Sequence, residues 1–171
     1  VMKGYYKNEE ATRASFTDDG WLRTGDLGRR DQDGFFFVTG RIKELIIKGG
    51  ENIAPREIDE VLLKHPAVLE AAVVGAPDRH YGQEIVACIV LRDGALDEGR
   101  REISEEAGED AGERTGEHVR AVRESLRAFC QEHLGRYKTP RDFHFVAELP
   151  RGPSGKVQRL KLLETIAPNT P

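Results

Sequence analysis

Residues 149–159 read LPRGPSGKVQR, and Lys156 is the side chain in them whose chemistry asks for an explanation. Pro150, Gly152, Pro153 and Gly155 hold it in a stretch that favours neither helix nor strand. A phosphate-cradling loop of the form G-x-x-x-x-G-K-[ST] is excluded. Its glycines would stand farther apart than Gly152 and Gly155, Val157 replaces the metal-binding hydroxyl, and Pro153 lacks an amide that a cradle would use. Lys156 is then either an ordinary solvated turn lysine or a single cation carried to a phosphate. Three other places hold similar choices. Asp26 in TGDL reads as a turn or cap residue or as an acceptor for hydroxyl groups, and Arg41 in GRIKE as a surface cation or an anion contact. The pair Gly49-Gly50 in IIKGGENIAP is either a plain turn or a place where a ligand passes close to bare backbone.

The elements that would carry these residues fall into two parts. Residues 1–42 alternate short strand candidates with turn signals, including Asp33-Gly34, a hairpin turn pair. This part has little apolar surface and predicts an incomplete core that needs a larger body to pack against. Valine at position 1 adds to the expectation that the chain is the tail of something longer. From Lys43 onward the sequence has the material for its own core. Pro55 opens a helix in which Ile58, Val61, Leu62 and His65 share a face and which Pro66 ends. VLEAAVVGA and EIVACIVLR are β-branched apolar runs expected as buried strands, and ELIIKGG a shorter one. Val119, Val122, Leu126, Phe129 and Cys130 recur at helical spacing; DFHFVAEL follows as a strand and RLKLLETI as a last helix. The fold class expected is α+β, a two-layer small domain of few strands with helices, preceded by a short β-rich tail.

The 171 residues are 38% hydrophobic and 33% charged, which fits a soluble globular protein of one or two small domains. No apolar run approaches the ~18 residues of a membrane span, and the N-terminus lacks the layout of a signal peptide. Cys88 and Cys130 lie among apolar residues without metal-ligand spacing, so they read as buried reduced thiols and place the protein in the cytoplasm. The net charge of −4 conceals a segregation: residues 97–118 hold nine acids against three arginines, whereas Arg136 to Lys161 hold seven Lys/Arg against two acids. The cationic end suits a polyphosphate, or is a solvated surface. The acidic stretch, with glycines at 112 and 116 and Ile103 its one large apolar residue, is expected to be disordered.

Taken in order, GWLRTGDLGRRDQDGFFFVTGRIKELIIKGGENIAPREIDEVL, HPAVLEAAVVGAPDRHYGQEIVACIV and YKTPRDFHFVAELPRGPSGKVQR resemble the adenylate-forming acyl-CoA ligase superfamily. That superfamily includes fatty-acid and aryl-acid CoA ligases, adenylation domains of peptide synthetases and firefly-type luciferases. The likeness covers nearly all of the chain except the acidic insertion. The family's upstream phosphate loop and acyl pocket are not found, so residues 1–42 are expected to be the last strands of a large AMP-binding domain and 43–171 the mobile C-terminal domain. The resemblance implies that Asp26 accepts hydrogen bonds from the ribose hydroxyls of ATP, that Arg41 contacts the nucleotide, and that Lys156 is the catalytic lysine of adenylate formation. It puts Lys43 at the hinge between two domain orientations, and Gly49 and Gly50 beside the pantetheine arm of CoA. Lys48 and the basic C-terminal stretch become candidates for the CoA phosphates.

The implied reaction joins a carboxylic acid, ATP and CoA into acyl-CoA, AMP and pyrophosphate, with Mg2+ arriving on ATP rather than on residues of this chain. The expected partners are those small molecules and the missing N-terminal domain, with neither nucleic acid nor a membrane span involved. Two other readings stand beside it: a stand-alone module that binds nucleotide, CoA or a carrier protein without catalysis, and an adenylation domain of a peptide synthetase. On positioning grounds the chain alone is expected to be a poor catalyst, since it has no triphosphate site.

Overall fold

The turn signal around Asp33-Gly34 is where the first part of the chain reverses. In the computed structural model, which describes residues 1–93 and 111–166, a short helix α1 (Glu9–Ala14) precedes strands β1 (Asp26–Arg30) and β2 (Phe36–Arg41). The two strands pair antiparallel. The loop between them is tied by Asp31, whose carboxylate accepts the Phe35 N–H at 2.9 Å while the Asp31 N–H donates to the Phe35 carbonyl at 3.0 Å. No residue of Val1–Lys43 is buried, and Trp21, Phe36 and Val38 stand exposed. This unit has no core of its own.

The chain divides after Lys43, one residue past the boundary expected from sequence. Beyond a 3-10 turn at Ile42–Glu44 come β3 (Ile46–Lys48), β4 (Glu51–Ile53), α2 (Pro55–Leu62), β5 (Val68–Asp78) and β6 (Gly82–Leu91). Helix α3 (Ala111–Lys138), β7 (Asp142–Phe145) and α4 (Arg159–Ile166) complete the second unit. β5 and β6 form the long antiparallel ribbon at its centre, in register from Val68↔Leu91 to Asp78↔Gly82. On the other edge of β6, β3 joins at Gly82 and β7 runs parallel from Val86 to Ile89. The β3 contact is a single pair, and the Gln83 side chain reinforces it by accepting the Ile47 N–H at 2.6 Å.

Period-two alternation explains why the two runs are apolar throughout. Val73, Ile85, Ala87 and Ile89 face one side, where Ile58 and Leu62 of α2 and Val122, Leu126 and Cys130 of α3 close the main core with Phe143. Ala72, Val74, Val86, Cys88 and Val90 face the other, covered by Leu149 and by Leu162 and Ile166 of α4. The α+β class is as expected. The two-layer arrangement holds for α2 and α3, and α4 adds a small third layer, because a ribbon apolar on both faces cannot leave either in water. Both cysteines are free and buried, and burial pushes their thiols up to about 11, which keeps them unreactive at neutral pH.

Helix α3 begins at Ala111, inside the acidic stretch 97–118 that was expected to be disordered; residues 97–110 of that stretch lie outside the described residues. The physical reason is cooperativity. Once the part of α3 from Val122 onward is nucleated by packing, each upstream residue adds one hydrogen bond without a new nucleus, which offsets the glycine penalty. At the other end Gly135, at φ 73 and ψ 170, breaks the helix, and Thr139 Oγ1 donates to its carbonyl at 2.8 Å.

His65, on the face shared with Leu62, is buried where α2 meets α3. Its Nδ1 accepts the Ala67 N–H at 3.3 Å, which leaves Nε2 to donate to Ser125 Oγ at 3.1 Å and fixes the neutral tautomer. Burial lowers its pKa below the ordinary ~6.5. The unfolded chain therefore binds more protons here, so this contribution to stability is present above pH ~6.5 and is lost as the pH falls below it. Replacing His65 with Asn should flatten the dependence of the urea midpoint on pH between about 7 and 5. Far-UV circular dichroism is the probe, because the one tryptophan, Trp21, belongs to the other unit. An unchanged slope would show that His65 is not the titrating group.

Candidate active site

Asp26 and Arg41 occupy directly opposed positions of the β1–β2 pair, and the Arg41 Nε lies 3.1 Å from Asp26 Oδ1 in an ion pair. The strand ladder thus brings together two residues that the sequence separates by fifteen positions. Their side chains are 30% and 60% exposed, so the ion pair itself adds only ~0–1 kcal/mol. Its effect is orientation. The backbone N–H of Asp26 donates to Thr24 Oγ1 at 3.1 Å, and the Ile42 N–H to the Gly25 carbonyl at 2.9 Å, which hold the start of β1 against the end of β2. A carboxylate fixed this way, with a guanidinium alongside, can accept from paired hydroxyl groups while a cation faces a neighbouring anion.

Lys43 is exposed in the 3-10 turn and is the last residue of the first unit. Gly49 and Gly50 form a two-residue hairpin loop between β3 and β4, with Lys48 paired to Glu51 across it. Both have positive φ, 53° and 86°, as a primed hairpin turn requires, so the turn alone accounts for both glycines. They differ in surroundings: a Cβ on Gly49 would stand 2.9 Å from the Tyr137 hydroxyl, whereas one on Gly50 would meet nothing within 4 Å.

Beside this turn the structure corrects the expectation for Lys48. Far from being open to phosphates, its ammonium is buried and bonded to Glu84 Oε1 at 2.5 Å and to the Tyr137 carbonyl at 3.0 Å. The Tyr137 hydroxyl returns a hydrogen bond to the Lys48 carbonyl at 2.5 Å, and the Gly49 N–H donates to the Tyr81 carbonyl at 2.9 Å. Strand alternation put Lys48 on the inward side with Ile46, a consequence visible in the sequence once the strand is placed.

Lys156 is exposed and makes no ion pair with any described residue. Its loop is a miniature hairpin: Arg151 bridges Val157, the Gly152 N–H donates to the Lys156 carbonyl at 2.9 Å, and the Gln158 N–H to that of Pro150 at 2.8 Å. Arg151 ties this hairpin to β5 through both oxygens of Glu70, at 2.8 and 2.7 Å. The Gly49-Gly50 turn is tied instead beside Tyr81 and Gly82, where β5 ends at Asp78. Glu70 and Asp78 are eight residues apart on one strand, ~26 Å at ~3.3 Å per residue. The second unit therefore presents the lysine and the glycine turn at opposite ends of one ribbon.

Sequence reasoning missed Arg159, three residues past Lys156. Its Nη2 donates to Asp59 Oδ2 at 2.6 Å, Nη1 to Asp59 Oδ1 at 3.2 Å and to the Val73 carbonyl at 2.9 Å, and Nε to Glu44 Oε2 at 3.2 Å. Burial raises the pKa of Asp59, while the bonds from Arg159 and the Val73 N–H act to lower it. Burial also works against the Arg159 charge, and Asp59 and Glu44 outweigh it. The signal was Asp59 itself, a carboxylate beside Ile58 and three residues before Leu62 on the inner face of α2, which calls for a buried cation.

The sequence matches the AMP-binding enzyme C-terminal domain over residues 57–156. The chain belongs to that family. It is 61% identical over 163 residues to a sulfoacetate–CoA ligase of Cupriavidus necator, covering 95% of this chain and 27% of that protein. It is 44% identical over 162 residues to the 2-succinylbenzoate–CoA ligase of Bacillus licheniformis, covering 95% and 28%. Among solved structures, an o-succinylbenzoate–CoA synthetase of Bacillus subtilis in complex with its acyl-adenylate intermediate matches with a TM-score of 0.72 and 41% identity, over 95% of this chain and 28% of that one. This AMP-binding C-terminal domain chain thus spans little more than a quarter of the length of these relatives.

Within the domain, the Lys48–Glu84 pair gives a direct test of how the glycine turn is held. Glu84→Ala leaves the Lys48 ammonium buried without its counter-charge and should destabilise the second unit by ~3–5 kcal/mol in urea denaturation. The double variant Lys48→Met/Glu84→Leu, with no orphaned charge, should lose clearly less. Equal losses would show that the pair does not act as a unit.

Proposed function

We propose that this chain is the C-terminal part of an AMP-forming carboxylic acid–CoA ligase, which supplies the lysine for adenylate formation and, by rotation about Lys43, the face used for thioester formation. The observation that carries the reading is the ~26 Å between the anchors of the Lys156 loop and of the Gly49-Gly50 turn. Loops anchored so far apart along one ribbon present different faces of the domain, which favours their acting in turn rather than together. The location of Lys43 at the boundary between two compact units supports that motion. The likeness to CoA ligases supports the reaction class, and the coreless first unit supports a larger partner domain.

In the first step an oxygen of the substrate carboxylate bonds to the α-phosphorus of ATP and pyrophosphate leaves, giving an acyl-adenylate. Asp26 holds the ribose hydroxyls, Arg41 keeps its carboxylate oriented and faces the nucleotide, and the Lys156 ammonium meets charge as it grows on the phosphoryl oxygens. Mg2+ would arrive with ATP and neutralise its phosphates. In the second step the CoA sulfur attacks the acyl carbon and AMP departs, with the pantetheine arm passing the bare backbone at Gly50.

Two measurements test this. Antibody detection and intact mass of the native product should give a polypeptide several times larger than 19.1 kDa; a product of 19.1 kDa would favour a binding module or a split enzyme. In that larger polypeptide, Lys156→Ala should lower acid-dependent ATP–pyrophosphate exchange by ~10²–10³-fold while thioester formation from preformed acyl-adenylate survives. Equal loss of both steps would remove the two-face mechanism. Lys43→Pro should separate the steps as well, by trapping one orientation, and wild-type rates for both would end its role as hinge.

A further inference from the structure

Arg159 is fixed by four hydrogen bonds to three groups from different parts of the second unit. Asp59 comes from α2, the Val73 carbonyl from β5, and Glu44 is the first residue of the second unit, directly after Lys43. Four of the five guanidinium N–H groups are engaged, a planar fork that lysine cannot reproduce. The two carboxylates differ. Asp59 is buried, with a side chain 10% exposed, and its loss would strand a cation in the core; Glu44 is 35% exposed, so its loss leaves Arg159 still held by Asp59 and the Val73 carbonyl.

Resting on the role of Lys156 given above, we propose that the Glu44–Arg159 bond is a positioning link that sets where Lys156 stands relative to the hinge. The path is short and continuous. Glu44 is the residue at which the chain leaves the hinge, it is bonded to Arg159 at 3.2 Å, and Arg159 follows Lys156 by three residues in a segment closed by the Gln158–Pro150 hydrogen bond. The Glu70–Arg151 pair fixes the other side of the same loop. Glu44 thus supplies a direct side-chain hydrogen bond from the start of the second unit to the lysine-bearing segment. The glycine turn is held by separate partners, Lys48, Tyr81 and Tyr137, at the far end of β5. Loosening the Glu44 link therefore disturbs adenylate formation and spares thioester formation.

The test uses the complete polypeptide and reads the half-reactions separately. Glu44→Ala should cut the kcat of ATP–pyrophosphate exchange roughly ten-fold, a fraction of the ~10²-fold that a misplacement of about an ångström can cost, with the KM for ATP changed by less than about two-fold. Thioester formation from preformed acyl-adenylate and the thermal midpoint should stay at wild-type values. Glu44→Gln, which keeps an acceptor for Arg159, should restore part of the loss, and Arg159→Lys should behave like Glu44→Ala where it folds. Exchange at the wild-type rate in Glu44→Ala, or a parallel fall of both half-reactions with the melting temperature, would overturn the link. Lys156→Ala run alongside separates the two failures. If exchange survives that change, the lysine assignment has failed and the link with it; if exchange collapses there and persists in Glu44→Ala, the link alone has failed.

Discussion

Burying both faces of the β5–β6 ribbon is the constraint from which the second unit follows. Of the ten paired positions, those in the middle of the ribbon are apolar on both faces, so α2 and α3 cover one side and α4 the other. Covering the second side requires the chain to cross the end of the sheet after β7, and the loop that carries Lys156 lies on that crossing, between Leu149 and Leu162. The length of the same ribbon then fixes how far that loop stands from the Gly49-Gly50 turn. Packing and the separation of the two candidate functional ends are one geometric fact.

Charges enter this apolar frame at two points, and each is fully partnered. Among the described residues no buried side-chain nitrogen or oxygen lacks a hydrogen-bond partner. Lys48 with Glu84 and Arg159 with Asp59 each desolvate two charges, a cost that close and well-directed bonds only roughly offset. Their value is specificity of arrangement: one fixes the glycine turn to the end of α3, the other fixes the start of α4 to α2 and to Glu44, the first residue of the second unit.

Much of this was legible in the sequence. The strands over VLEAAVVGA and EIVACIVLR, the helix opened by Pro55 and the last helix over RLKLLETI follow from local pattern, and the structure has them with small shifts of boundary. The short strand β4 was hidden inside a turn, since three residues carry no periodicity of their own. The placement of α4 on the opposite face depends on tertiary closure, which no local pattern records. At the site, Asp26 and Arg41 were found one by one, but their pairing needs the register of a bulged hairpin. Lys48 read as free because a lysine is usually exposed; its burial depends on Glu84, thirty-six residues away.

Carrying the lysine and the glycine turn on one inflexible ribbon has a consequence for reversibility. On the proposed function, the charge that helps pyrophosphate depart is the same charge that would help pyrophosphate return and regenerate ATP. Any rotation that brings the glycine turn toward the acyl-adenylate removes that assistance, because the two ends cannot be near together. The intermediate is thereby shielded from its own back-reaction while it waits for the thiol. A single ~26 Å spacing acts as a ratchet on the direction of the chemistry.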